Sequence, residues 1–120
     1  MRHLTEQQAA AALRRGASIE LLLTTTLDAG TVTWLSAVPT AGGISLSRHE
    51  VLDEGSDAFL DVYEFGPADP DENTGEGTLL GSFSDVSSAF EAAVRNGANL
   101  GHWVNAGVIQ DEYADLRASK

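Results

Sequence analysis

The sequence predicts an α+β fold: one mainly antiparallel sheet of four to five strands in a meander, with an N-terminal helix and two C-terminal helices packed on one face. Three observations carry this. Helix-capping signals open the chain and recur near residues 84–85, apolar residues between them recur at every second position, and the links joining those runs are mostly short. Short links favour antiparallel neighbours over parallel crossovers. At 120 residues and 42% hydrophobic content, the chain suits a single domain, 1–120, with one core.

The first element is a helix. Thr5 is placed to cap it, Gln8 follows three positions later as a capping box requires, and Leu4 can staple onto Ala9. Ala9 to Ala12 favour helix, Arg14 and Arg15 suit the negative end of the helix dipole, and Gly16 stops the run. From there the period becomes two. Ile19, Leu21 and Leu23 alternate with Glu20 and Leu22 and lead into the β-branched Thr24 to Thr26, which predicts a first strand. After the turn Asp28-Ala29-Gly30, a second strand from Thr31 to Val38 sets Val32, Trp34, Ser36 and Val38 on one face. Thr40-Ala41-Gly42-Gly43 turns the chain into a third strand through Ile44 and Leu46. Ala58 to Phe65 predicts a fourth.

Gly66 to Gly77 is a loop, with two of the three prolines, three glycines and four acids. Thr78 to Phe83 adds a fifth strand. Ser84 or Asp85 then caps a helix with Val86, Phe90, Ala93 and Val94 on one side, ended by Asn96-Gly97. Ile109, Tyr113 and Leu116 fall at helical spacing and predict the last helix, while Trp103 is expected to close the core against the sheet.

Net charge is −11 and unevenly laid down. Between Arg48 and Arg95 the chain carries no Lys or Arg, yet this stretch holds 12 of the 18 carboxylates. A one-signed region of this length faces water, a metal or a basic partner. Phosphate contacts need clustered cations, and here the six arginines are scattered and the one lysine is Lys120, so neither nucleic acid nor an anionic membrane is an expected direct partner. An acidic coat of the halophile kind is a weaker account, since the acids concentrate in one region. Without cysteine there are no disulfides and no thiolate chemistry. The opening MRHLTEQQ is too polar for a signal-peptide core and no apolar run reaches spanning length, so a cytoplasmic protein is expected.

The partner-binding candidates are Glu50, Asp53, Glu54, Asp57, Asp61, Tyr63, Glu64, Asp69, Asp71 and Glu72. On the fourth strand, period two sets Phe59, Asp61, Tyr63 and Phe65 on one face and Leu60, Val62 and Glu64 on the other. With Leu60 and Val62 inward, aromatics rimmed by acids face out, an arrangement that suits a basic protein surface. The competing reading makes the aromatics the buried face.

Catalytic and metal signals are weak. Asp69 to Gly75 spaces oxygen ligands as a calcium loop does, but the glycine falls one position late and Leu80 stands where a bidentate Glu is required; no metal and no cofactor is expected. His3, His49 and His102 share no metal-ligand spacing. His49 beside Glu50, or His102 near Asp111 and Glu112, has the composition of a general-base pair, but no nucleophile elbow, phosphate loop or dinucleotide fingerprint accompanies either.

These readings favour a non-enzymatic acidic protein that binds and inhibits a basic, nucleic-acid-handling protein, as toxin-immunity and phage anti-defence proteins do, with carboxylates substituting for phosphates in DNA mimicry. The alternatives are an adaptor module whose acidity serves solubility, and a small ligand-binding or enzymatic domain using His49 or His102. Because like charges repel within a Debye length, added salt is expected to stabilise the fold. Urea unfolding at increasing sodium chloride checks this, and a flat midpoint would show the charges to be too dispersed to repel.

Overall fold

The computed structural model describes residues 3–23, 31–53, 55, 63 and 78–118. Helix α1 (Glu6–Arg14) starts at the predicted capping box: the Gln8 amide donates to Thr5 Oγ1 at 3.1 Å and the Thr5 amide to Gln8 Oε1 at 2.9 Å. Strands β1 (Ile19–Leu23), β2 (Thr31–Thr40), β3 (Gly43–Leu52), β4 (Thr78–Phe83) and β5 (Val104–Asn105) form one antiparallel sheet in the order β4-β3-β2-β1-β5. The first three are the predicted opening strands of the meander, and the predicted fifth strand, Thr78–Phe83, takes the fourth place. β5 adds on the far side of β1, with Val104 opposite Glu20. Helix α2 (Val86–Arg95) is capped by Asp85 rather than Ser84: its Oδ1 accepts from the Ser88 amide at 2.7 Å, and that bond holds the carboxyl below its usual range. A 3-10 turn, Leu100–His102, precedes β5, and helix α3 (Ile109–Ala118) ends the described chain. Among the described residues, no helix is long and apolar enough to cross a membrane.

One turn explains its glycine. Gly43 has a φ of 153° and lies against the carbonyl of Phe83, so a Cβ there would collide with the backbone of β4.

The α+β architecture is the predicted one, but the helices divide between the two faces. Leu21 sits opposite Leu35, and Ala37 opposite Leu46; these residues join α1, α2 and the fully buried Trp103 in the larger core. Alternate residues point the other way. Leu22, Val32 and Trp34 form a second core with Val104, Ile109 and Tyr113, so α3 covers the second face instead of joining α1 and α2 on the first. The physical reason is that β1 and the first half of β2 carry large apolar side chains on both sides, Leu21 and Leu35 on one and Leu22, Val32 and Trp34 on the other, so both faces need cover.

The predicted fourth strand also needs correction. Of Ala58 to Phe65 only Tyr63 is described, and it lies in a 3-10 turn while β4 occupies the place beside β3. Tyr63 packs on the sheet's second face: its ring meets Trp34 edge-on at 5.7 Å. The remainder of that segment, and the loop 66–77, lie outside the described residues.

Leu35 is fully buried where the sheet meets α1 and α2, whereas Leu79 on β4 is 62% exposed. Leu35→Ala is expected to cost about 2–5 kcal/mol and Leu79→Ala less than about 0.5 kcal/mol, read from urea unfolding.

Candidate functional site

The polar residues of the second face converge on Glu20. It interrupts the apolar strand β1, is 8% exposed, and accepts two hydrogen bonds: from the Tyr63 hydroxyl at 2.6 Å and from the Gly107 amide at 2.8 Å. A buried carboxylate needs such donors, since desolvation penalises its charge. The same contact pushes the Tyr63 phenol far above its ordinary range, through burial first, then the hydrogen bond to Glu20, then the carboxylate's charge.

Directly opposite Glu20 is Ser36, whose Oγ lies 3.0 Å from His49 Nε2. The His49 ring stacks on Trp34, at 5.2 Å between centroids and 9° between planes. His49 thus engages Ser36 and Trp34, not Glu50, because neighbours in a strand point to opposite faces. The Ser36–His49 distance is one at which a base can take a hydroxyl proton. Ser36, however, is only 8% exposed, which leaves little surface for a substrate to reach it.

His102 also departs from expectation. It stacks on His3 at 5.1 Å, and it is His3 whose Nε2 lies 2.6 Å from Oε1 of the buried Glu112. Together with the hydrogen bond from the Leu4 amide to the Trp103 carbonyl at 2.7 Å, this clasp ties the start of the chain to its C-terminal third. No group of three or more His, Cys, Asp or Glu among the described residues has the geometry to hold a metal ion.

Three of the partner-binding candidates are described, and each is engaged within the chain. Glu50 accepts from Arg48 at 3.0 Å and from Thr33 Oγ1 at 3.4 Å, and period two directs it to the first face. Asp53 accepts a hydrogen bond from the hydroxyl of Tyr113, a residue of the second core. Tyr63 keeps 43% of its surface exposed but commits its hydroxyl to Glu20, so it serves first as an anchor of its own segment. Asp53 and Tyr63 therefore come to the second face and Glu50 does not. Glu54, Asp57, Asp61, Glu64, Asp69, Asp71 and Glu72 lie outside the described residues.

Glu20, Trp34 and Ser36 are the residues sequence reasoning left out of its candidate set. The signal for Glu20 was a lone carboxylate between Ile19 and the leucines of β1. A separate cleft of about 420 Å³ lies between the end of α1 and the start of α2, floored by Leu13, Ile44 and Val86. Arg14 and Asp85, one charge of each sign, also line it. The chain matches no protein-family model, no curated protein and no solved structure.

The raised Tyr63 phenol gives a pH signature. A group whose pKa is higher folded than unfolded stabilises fully below the unfolded value, about 10 for tyrosine, and that contribution is lost as pH climbs beyond it. In Glu20→Gln the Tyr63 ionisation, followed by phenolate absorbance in a Tyr113→Phe background, is expected to move down toward the ordinary value. It should not reach it, since burial persists.

Proposed function

We propose that this chain is a non-enzymatic acidic protein that binds and neutralises a basic, nucleic-acid-handling protein, in the manner of an immunity or anti-defence protein. One observation carries the reading: 12 carboxylates between Arg48 and Arg95 with no Lys or Arg among them. The two arginines that bound the stretch lie near acids at its margins, Arg48 at 3.0 Å from Glu50 and Arg95 at 3.4 Å from Glu91. Carboxylates without a sequence-local counterion make the local potential negative, attract a cationic partner from solution, and pair with the Arg and Lys that the partner uses on phosphates.

The engaged residues sharpen the assignment. Glu50, Asp53 and Tyr63 serve the fold, so the contact is assigned to Glu54, Asp57, Asp61, Glu64, Asp69, Asp71 and Glu72. Asp53 is unsuitable for a charge test because removing it leaves the Tyr113 hydroxyl without this acceptor. The enzymatic alternative retains one supporting observation, the Ser36–His49 contact.

The immobilised full chain, incubated with lysate of the encoding organism, is expected to retain a basic protein that high salt or duplex DNA releases. Retention indifferent to both would count against charge-driven binding. Replacing Glu54 and Glu64 by Gln and Asp57 and Asp61 by Asn is expected to weaken that complex by roughly tenfold or more, since each exposed pair contributes about 0.2–1 kcal/mol. The unfolding midpoint should hold or rise as repulsion is relieved.

A further inference from the structure

The cleft between the end of α1 and the start of α2 is lined by described residues. Its floor is apolar: Leu13 and Ile44 are 4% and 5% exposed, and Val86 is half-buried beside them. At about 420 Å³ it lies toward the small end of ligand pockets, which run from roughly 300 to 1,000 Å³. That size suits one small molecule rather than a folded partner.

The two charges that line the cleft form no ion pair with each other. Arg14, exposed in the last turn of α1, makes no hydrogen bond or ion pair with any described residue. Asp85 is oriented by Ser88, whose amide donates to its Oδ1 at 2.7 Å and holds the carboxyl below its usual range, so it is charged at neutral pH. A carboxylate accepts about four hydrogen bonds, so the cap leaves room for a further donor. The remaining polar lining, Ser84 and Ser87, is neutral. The positive end of the α2 dipole would favour an anion, but Asp85 already meets it. What complements this cleft is an anion for Arg14 and a cation for Asp85 on one molecule with an apolar body.

We propose that the cleft binds a free α-amino acid with an apolar side chain. Its carboxylate meets Arg14, its ammonium meets Asp85, and its side chain lies on Leu13, Ile44 and Val86. A ligand with only a carboxylate is repelled by Asp85 and one with only an amine by Arg14, so the cleft selects for both charges together. This inference goes beyond the neutraliser reading, since no protein partner takes part in it.

L-Leucine, L-methionine and L-phenylalanine, titrated into the isotope-labelled full chain and followed by amide NMR, provide the test. Shifts are expected to concentrate on residues 13–14, 43–44 and 84–88. Leucinamide lacks the carboxylate and N-acetyl-leucine lacks the ammonium; each is expected to bind about fivefold or more weakly than leucine. Arg14→Gln removes the cation but keeps a good helix former, and Asp85→Asn removes the anion but keeps a good cap. Each is expected to weaken leucine by a similar factor. In Arg14→Gln the disadvantage of leucinamide should disappear, and in Asp85→Asn that of N-acetyl-leucine, which ties each ligand charge to its partner. Thermal unfolding confirms that the variants fold; if one does not, the other and the blocked ligands carry the test.

N-acetyl-leucine binding as tightly as leucine makes the cleft an anion site, and leucinamide binding as tightly makes it a cation site. Either result overturns the proposal. So do shifts that miss the cleft, an affinity unchanged in the folded variants, or no response to any of the three amino acids.

Discussion

All five residues of β1 are buried, so the strand must be covered on both sides, by α1 and α2 on one and by α3 on the other. On the first face α1 and α2 approach through alanines: Ala9, Ala12, Ala89, Ala92 and Ala93. Small side chains let helices lie close to a sheet but bury little area each, so the bulk of that core falls to leucines and to Trp103, stacked on Phe90 at 5.5 Å. On the second face Ile109 and Tyr113 of α3 close over Leu22, Val32 and Trp34. Glu20 lies on that same face. Its carboxylate cannot be buried bare, and the donors that satisfy it come from Gly107, just before α3, and from Tyr63 in the acidic stretch. Covering one strand thereby determines where the acidic stretch attaches to the fold.

Most of the framework was legible from residues 5 to 52 and 78 to 116. Thr5 with Gln8 specifies a helix start by local chemistry alone, and Asp85 and Asn96-Gly97 delimit the next helix in the same way. Alternation through Val32, Trp34, Ser36 and Val38 correctly grouped a face. Alternation does not say what covers a face, however, so the placement of α3 opposite α1 and α2 was not readable from its own spacing. The clue was in β1, where Leu21, Leu22 and Leu23 leave no polar side. Tyr63 failed as a strand residue for a related reason. Period two describes a local pattern in Phe59 to Phe65, while Glu20, 43 positions earlier in the chain, supplies the long-range hydrogen bond that draws the tyrosine onto the sheet. The cluster of Glu20, Ser36 and His49 joins residues from three segments, and only strand register brings them together.

The charge pattern and the fold have separate roles. Acids that the structure ties down, Glu20, Glu50, Asp53 and Glu112, each meet a specific donor or histidine and help hold elements in place. Asp85 and Glu91 likewise serve helix α2, as its cap and as the partner of Arg95.

The clasp of His3, His102 and Glu112 has a bearing on biogenesis. Contacts that join residue 3 to residue 112 form only after the ribosome has made nearly all of the described chain. Until then β1 lacks one of its lids, and its leucines remain available to chaperones or to neighbouring nascent chains. Closure of the second face therefore waits on the segment that carries α3.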